Sequence, residues 1–130
     1  MTVLALLATA LLFGGMVLYS FGFAAFLFTA LPAEMAGKTI RRAFPHFYLF
    51  VMGAAGLAAL LTWPNDALSA LILALIAATT LPTRQILMPA INAATDAGAK
   101  ARFNLLHGLS VGVTLAHIGL AGWVLARFIP

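Results

Sequence analysis

The chain has 130 residues, of which 64% are hydrophobic and only 8% charged, with a formal net charge of +4. A soluble domain carries nearer a quarter charged residues, and a disordered segment is poor in apolar ones, so neither class fits. The chain has no cysteine, which excludes disulfides, thiolate catalysis and cysteine-ligated zinc or iron–sulfur clusters.

With this composition the solvent is a bilayer, whose hydrocarbon core of about 30 Å takes about 20 helical residues. No segment alternates apolar and polar residues as a barrel strand must, and backbone in lipid has to satisfy its own polar groups. The expected fold is therefore all-α: a polytopic membrane protein, residues 1–130 forming one transmembrane domain, with four antiparallel spanning helices.

The first helix is expected over about 3–30. It stops at Pro32, because the residue before a proline avoids helix. Residues 1–31 hold no charge, and the apolar run is too long for a cleaved signal, so it reads as a retained spanning helix. Residues 31–43 form the first loop. Pro32 suits a helix start and Glu34 and Lys38 stand at i,i+4, so a short interfacial helix and a solvated loop fit equally. The second helix is expected over about 43–63, closed by the turn tripeptide Pro64-Asn65-Asp66. The third runs over about 67–92, with a kink expected at Pro82 and a second bend or an end at Pro89. The fourth runs over about 104–127.

Basic residues in loops set orientation. Lys38, Arg41, Arg42, Lys100 and Arg102, with Arg84 nearby, fall on one side, and Arg127 on the other. Loops 31–43 and 93–103 are then cytoplasmic and both termini lie outside, as suits a bacterial inner membrane. Trp63 and Trp123 fall at the outer interface. Seven Lys and Arg make no dense basic face, so nucleic acid is not an expected partner; anionic lipid headgroups are.

Helices in lipid associate through small residues. The fourth has Gly108 and Gly112 in a GxxxG spacing, with Gly119 beyond. The third has Ala70, Ala74 and Ala78, the second Gly53 and Gly56, the first Gly14, Gly15 and Gly22. Packing within one bundle is the main expectation. A homo-oligomer through the GxxxG, or a membrane-protein partner, is the alternative.

On a helical wheel at 100° per residue, His107, Ser110, Thr114 and His117 share an arc of about 80°. Polar groups in a bilayer face the bundle interior. Such a stripe lines a cavity or relays protons; equally, its hydroxyls bond back to their own helix. His46 stands on the same side of the membrane as His107. A histidine pair can hold haem or a metal, so His46, His107 and His117 are the candidate ligands. The motifs themselves call for no cofactor. No carboxylate lies within an expected span, and the five methionines are scattered. Arg84, Gln85, Asn92, Asp96 and Arg102 complete a polar centre at the cytoplasmic mouth of the third and fourth helices. Asp96, a lipid phosphate or an anionic ligand is the expected partner of Arg84. Phosphate-binding, dinucleotide, nucleophile-elbow and H-E-x-x-H motifs do not occur, so no catalytic residue is assigned and an enzyme is not the first expectation.

The run Pro89-Ala-Ile91-Asn92, then Arg102-Phe103-Asn-Leu-Leu106-His107-Gly-Leu-Ser110, resembles the second half of the transmembrane protein 205-like domain family. Gly14-Gly15, Leu27-Phe28 with Leu31, Ala36-Gly37 and Phe44-Pro45 before Tyr48 are similar to its first half. The resemblance implies four helices and a membrane location, and no defined activity. The family often has Ala-Pro where this chain has Ala24-Ala25, so a kink in the first helix is not implied. It often has Asn and Gln where Thr114 and His117 stand, so a role for His117 would be this chain's own. A fold-level likeness to the copper-resistance D and protoporphyrinogen-oxidase membrane families leaves haem or metal binding open. The reading is a non-enzymatic accessory or oligomeric membrane module. The alternatives are transport or export of a small molecule or metal through an oligomer, and a haem- or metal-binding redox protein.

Overall fold

A computed structural model describes residues 2–130. They form four long helices: α1 (Thr2–Ala30), α2 (Ala33–Thr62), α3 (Ala67–Asp96) and α4 (Lys100–Ala126), each long and apolar enough to cross a membrane. There is no strand among the described residues. Each helix packs on its neighbours in sequence, and α4 closes back on α1. Leu12 and Met16 of α1, Val51 and Ala55 of α2, Leu73 and Ile76 of α3, and Ala121 and Val124 of α4 are buried along the central seam.

The links between helices are shorter than the sequence pattern indicates, because helix continues where loop is expected. Leu31 is extended at φ −122° and ψ 153°, as its proline neighbour requires. α2 then starts at Ala33, ten residues before the expected 43. Nothing from Ala33 to Ala43 breaks a helix, and Glu34 meets Lys38 at 3.1 Å along the exposed face. The interfacial helix is thus the first third of α2 itself. Helix also replaces most of loop 93–103. α3 ends at Asp96, not 92, and α4 begins at Lys100, not 104. Only Ala97, Gly98 and Ala99 lie between. Gly98 takes φ +66°, a left-handed conformation natural to glycine. There the Ala99 amide donates to the Ala94 carbonyl at 3.0 Å, which closes the end of α3.

Prolines leave their marks inside the helices. Pro45 lies within α2 and has no N–H to offer the Arg41 carbonyl. After Pro82, α3 widens into a π-turn at Thr83–Leu87 before resuming at Met88. Such a turn replaces the i→i−4 ladder where a proline has interrupted it. The Thr83 amide reaches the Thr80 carbonyl, while its hydroxyl donates to the Thr79 carbonyl at 2.9 Å. α1 also widens, at Leu18–Phe23, without a proline. This turn lays Tyr19 over Phe47 at a 4.8 Å centroid distance, with Phe23 and Phe44 beside it.

Only some small residues serve packing within the bundle. Ala70 is buried, while Ala74 and Ala78 are exposed. A Cβ on Gly15 would lie 2.5 Å from Phe50 Cζ, and one on Gly122 would lie 3.2 Å from Phe13 Cε2. These two glycines admit aromatic rings between α1 and its neighbours. Gly108, Gly112 and Gly119 do not: each would meet nothing within 4 Å, and each faces outward. The GxxxG of α4 is therefore on the outer surface.

Gly14 and Gly15 form an internal control. Gly15→Ala forces the Phe50 ring aside and should cost about 1–3 kcal/mol, the usual range for overpacking. Gly14 is exposed with open space around it, so Gly14→Ala should be neutral or gain up to about 1 kcal/mol from helix propensity. Unfolding by detergent titration measures both; equal effects would contradict this packing.

Candidate functional site

The interior holds one polar layer, built by α2, α3 and α4. His117 is 8% exposed, and its Nε2 lies 2.8 Å from Thr79 Oγ1. The Thr79 hydroxyl is also 2.7 Å from the Leu75 carbonyl. A hydroxyl has one proton. With that proton on Leu75, His117 Nε2 carries the ring hydrogen and donates to Thr79. Tyr48 and Ser110 hydroxyls meet at 3.3 Å. Thr80 donates to the Ile76 carbonyl at 2.7 Å. Tyr48, Thr79, Thr80, Thr83, Ser110 and His117 are thus bonded to their own helix or to a facing one, as lipid requires of buried groups. Tyr48, Thr80, Thr83, Thr114 and His117, with Met16, Phe47, Val51 and Val113, enclose a cavity of about 10 Å³.

The expected stripe on α4 is divided by this arrangement. Ser110, Thr114 and His117 turn inward, to Tyr48, the cavity and Thr79. His107 does not join them. It is exposed and stacks on Phe103 at 5.3 Å. The wheel tolerates this, since His107 and His117 stand at the two edges of the arc, and a helix 27 residues long extends His107 toward the basic end. His46 is exposed as well. Among the described residues, no three His, Asp or Glu side chains gather as a metal site would need.

At the basic end, Asp96 pairs with Arg41, not with Arg84. The Arg41 Nη1 and Nη2 donate to Asp96 Oδ1 and Oδ2 at 2.7 and 2.9 Å. Because α3 continues as helix to Asp96, the 12 residues after Arg84 carry the carboxylate about 18 Å away at 1.5 Å per residue. Arg84 instead donates from Nε to the Pro45 carbonyl at 3.1 Å and from Nη1 to Gln85 Oε1 at 2.7 Å. It joins α3 to the α2 backbone beside the proline. Asn92 is half-buried, and Lys100 and Arg102 are exposed.

A second polar network closes the opposite end. Asp66 caps α3, accepting from the Ser69 amide at 3.1 Å and from its hydroxyl at 2.6 Å. Arg127 Nε, at the end of α4, donates to Asp66 Oδ2 at 2.9 Å and lies over Trp123, 4.7 Å from the ring centroid. The Arg127 guanidinium and the Ser69 donors hold the Asp66 carboxyl well below the usual carboxylate range. Asp66 in turn raises Arg127.

The Asp66–Ser69 cap goes beyond the turn expected at Pro64-Asn65-Asp66, although Asp-x-x-Ser before an apolar run is a helix-start signal. Thr79, Thr80 and Thr83 were open to view as Thr79-Thr80-Leu81-Pro82-Thr83, a hydroxyl cluster around a proline. Tyr48 gives no such signal, since an aromatic in a spanning helix is ordinary.

The Asp66 network has a pH signature. A carboxyl depressed in the folded state contributes stability above its unfolded value of about 3.9, and that contribution is lost as pH falls below it. The thermal midpoint of the wild type should therefore drop more steeply below about pH 4 than that of Asp66→Asn. Asparagine keeps a cap but has no charge to lose. Parallel acid profiles would show that the pair adds nothing.

No curated protein and no solved structure matches the chain. A family model described as a domain of unknown function, DUF4149, matches residues 7–100, which takes in most of α1, all of α2 and α3, and stops where α4 begins. With that match covering well over half of its length, the chain belongs to the DUF4149 family.

Proposed function

We propose that the protein is a non-enzymatic membrane module that acts as a homo-oligomer, with the outer face of α4 at the contact. The observation that carries this reading is the position of Gly108, Gly112 and Gly119. All three face outward, and a side chain on any of them would meet nothing within 4 Å. Glycine weakens a helix by about 1 kcal/mol relative to alanine, and inside this bundle these three gain no close contact in return. Outward-facing Leu105, Leu109, Leu115 and Ala116 flank them, giving a helix face on which a second backbone can approach closely. A packing role is supported by the interior, whose cavity is about the size of one water and whose hydroxyls mostly bond to their own helix or a facing one.

The basic residues give the reading its orientation. Lys38, Arg41, Arg42, Lys100 and Arg102 lie at one end with Arg84 near it, while Arg127 lies at the other. We read the first end as cytoplasmic and both termini as outside, in a bacterial inner membrane. The Arg102 to Ser110 run supports placing the chain with the transmembrane protein 205-like proteins, beyond the residues of the family match.

Gly108→Ile with Gly112→Ile should leave the helical content and thermal midpoint of the monomer unchanged but abolish oligomers in lipid nanodiscs, read by single-molecule photobleaching. A wild type that is monomeric in lipid, or a variant that still assembles, defeats the proposal. Orientation is tested separately. Because the chain has no cysteine, Ala99→Cys and Asn65→Cys report without background. In intact cells an impermeant maleimide should label position 65 and spare 99; the reverse pattern inverts the topology.

A further inference from the structure

The cavity between α2, α3 and α4 is lined by more hydrogen-bond acceptors than donors. Thr80 and Thr83 each spend their single proton on a carbonyl of their own helix, Ile76 at 2.7 Å and Thr79 at 2.9 Å. Their oxygens keep lone pairs and no proton. His117 donates through Nε2 to Thr79, which leaves Nδ1 as an acceptor. Such a lining suits a small neutral molecule with two protons to donate and a lone pair to receive one. The volume of about 10 Å³ is about the space a single water needs, and a buried water makes two to four bonds.

We propose that this cavity binds one water molecule, held by His117, Thr80 or Thr83 as acceptors and by Thr114 as donor. The water joins α3 to α4 beside Tyr48 of α2, at a level where the π-turn after Pro82 has disturbed the α3 ladder. It acts as a polar pin between helices that otherwise meet through apolar side chains. A water-mediated bond is nearly as good in enthalpy as a direct one, and in lipid no bulk solvent competes for these groups.

Radiolytic hydroxyl-radical footprinting of the wild type in nanodiscs reads this directly, because a bound water generates the radical in place. Met16, Phe47 and Tyr48 line the cavity and are 1%, 3% and 5% exposed, so radicals formed in bulk water do not reach them. Leu12 is the control: it lies one turn from Met16, is 0% exposed and does not line the cavity. After correction for intrinsic reactivity, Met16 and Tyr48 should label several-fold faster than Leu12. Thr114→Val, nearly isosteric, should bring them down to the Leu12 level with the thermal midpoint above the working temperature. Thr83→Val serves if Thr114→Val does not fold. Wild-type labelling no faster than at Leu12 means that no water is bound. Fast labelling that survives Thr114→Val, or Thr83→Val where that variant replaces it, means that these side chains do not hold it. Either result overturns the proposal.

Discussion

Every polar group of a backbone crossing lipid must find its partner inside the protein, and the rest of this structure is arranged around that demand. A bilayer offers no water to a stray carbonyl. Four helices meet the demand almost everywhere by their own ladders. The exceptions lie at Pro45 in α2 and at Pro82 and Pro89 in α3, where a ladder loses a donor. The threonines of α3 stand beside the second of these, and their hydroxyls donate one turn back, Thr79 to the Leu75 carbonyl, Thr80 to Ile76 and Thr83 to Thr79, so that none carries an unpaired proton into lipid. Arg84 ties α3 to α2 by donating to the Pro45 carbonyl. Many of the polar side chains that look like chemistry in the sequence are bonded to the main chain.

The same demand explains why the interior is polar and yet nearly closed. A threonine that donates to its own helix still presents an oxygen to its neighbours. His117 uses one such oxygen across the α3–α4 contact. Tyr48 finds Ser110 across the bundle. The helices are thus cross-linked by groups that their own backbones have already half satisfied. Apolar packing of Leu12, Met16, Val51, Leu73, Ile76 and Val124 fills the remaining space.

Helix number and order were legible because each span is a long apolar run, and hydropathy in a bilayer is a strong signal. The boundaries at the basic end were not. Charge marks both loops and exposed helix, and a charged surface helix differs from a loop only in whether something breaks it; nothing from Ala33 to Ala43 does. The Arg41–Asp96 pair was hidden for the same reason, since a carboxylate on a flexible loop can fold back to Arg84 and one on a rigid helix cannot. Periodicity placed Ser110, Thr114 and His117 on an inner face, while His107, at the edge of the arc, fell outside. Spacing also shows that Gly108 and Gly112 share a face, but not which way it turns. Direction depends on the sum of contacts along α4.

The length of α2 carries a further implication. Thirty residues at 1.5 Å each make about 45 Å of helix, against about 30 Å of hydrocarbon. The excess of about 15 Å matches the first third of α2, which contains Lys38, Arg41 and Arg42. α3 overshoots on the same side and is clamped to it through Asp96. The basic end of the protein is therefore a pair of helices tied together by Arg41 and Asp96, with helix where loop is expected. Charges on such a helix keep their spacing, so Arg42 and the ion-paired Lys38 and Arg41 are held in register without the chain entropy that ordering a loop would cost.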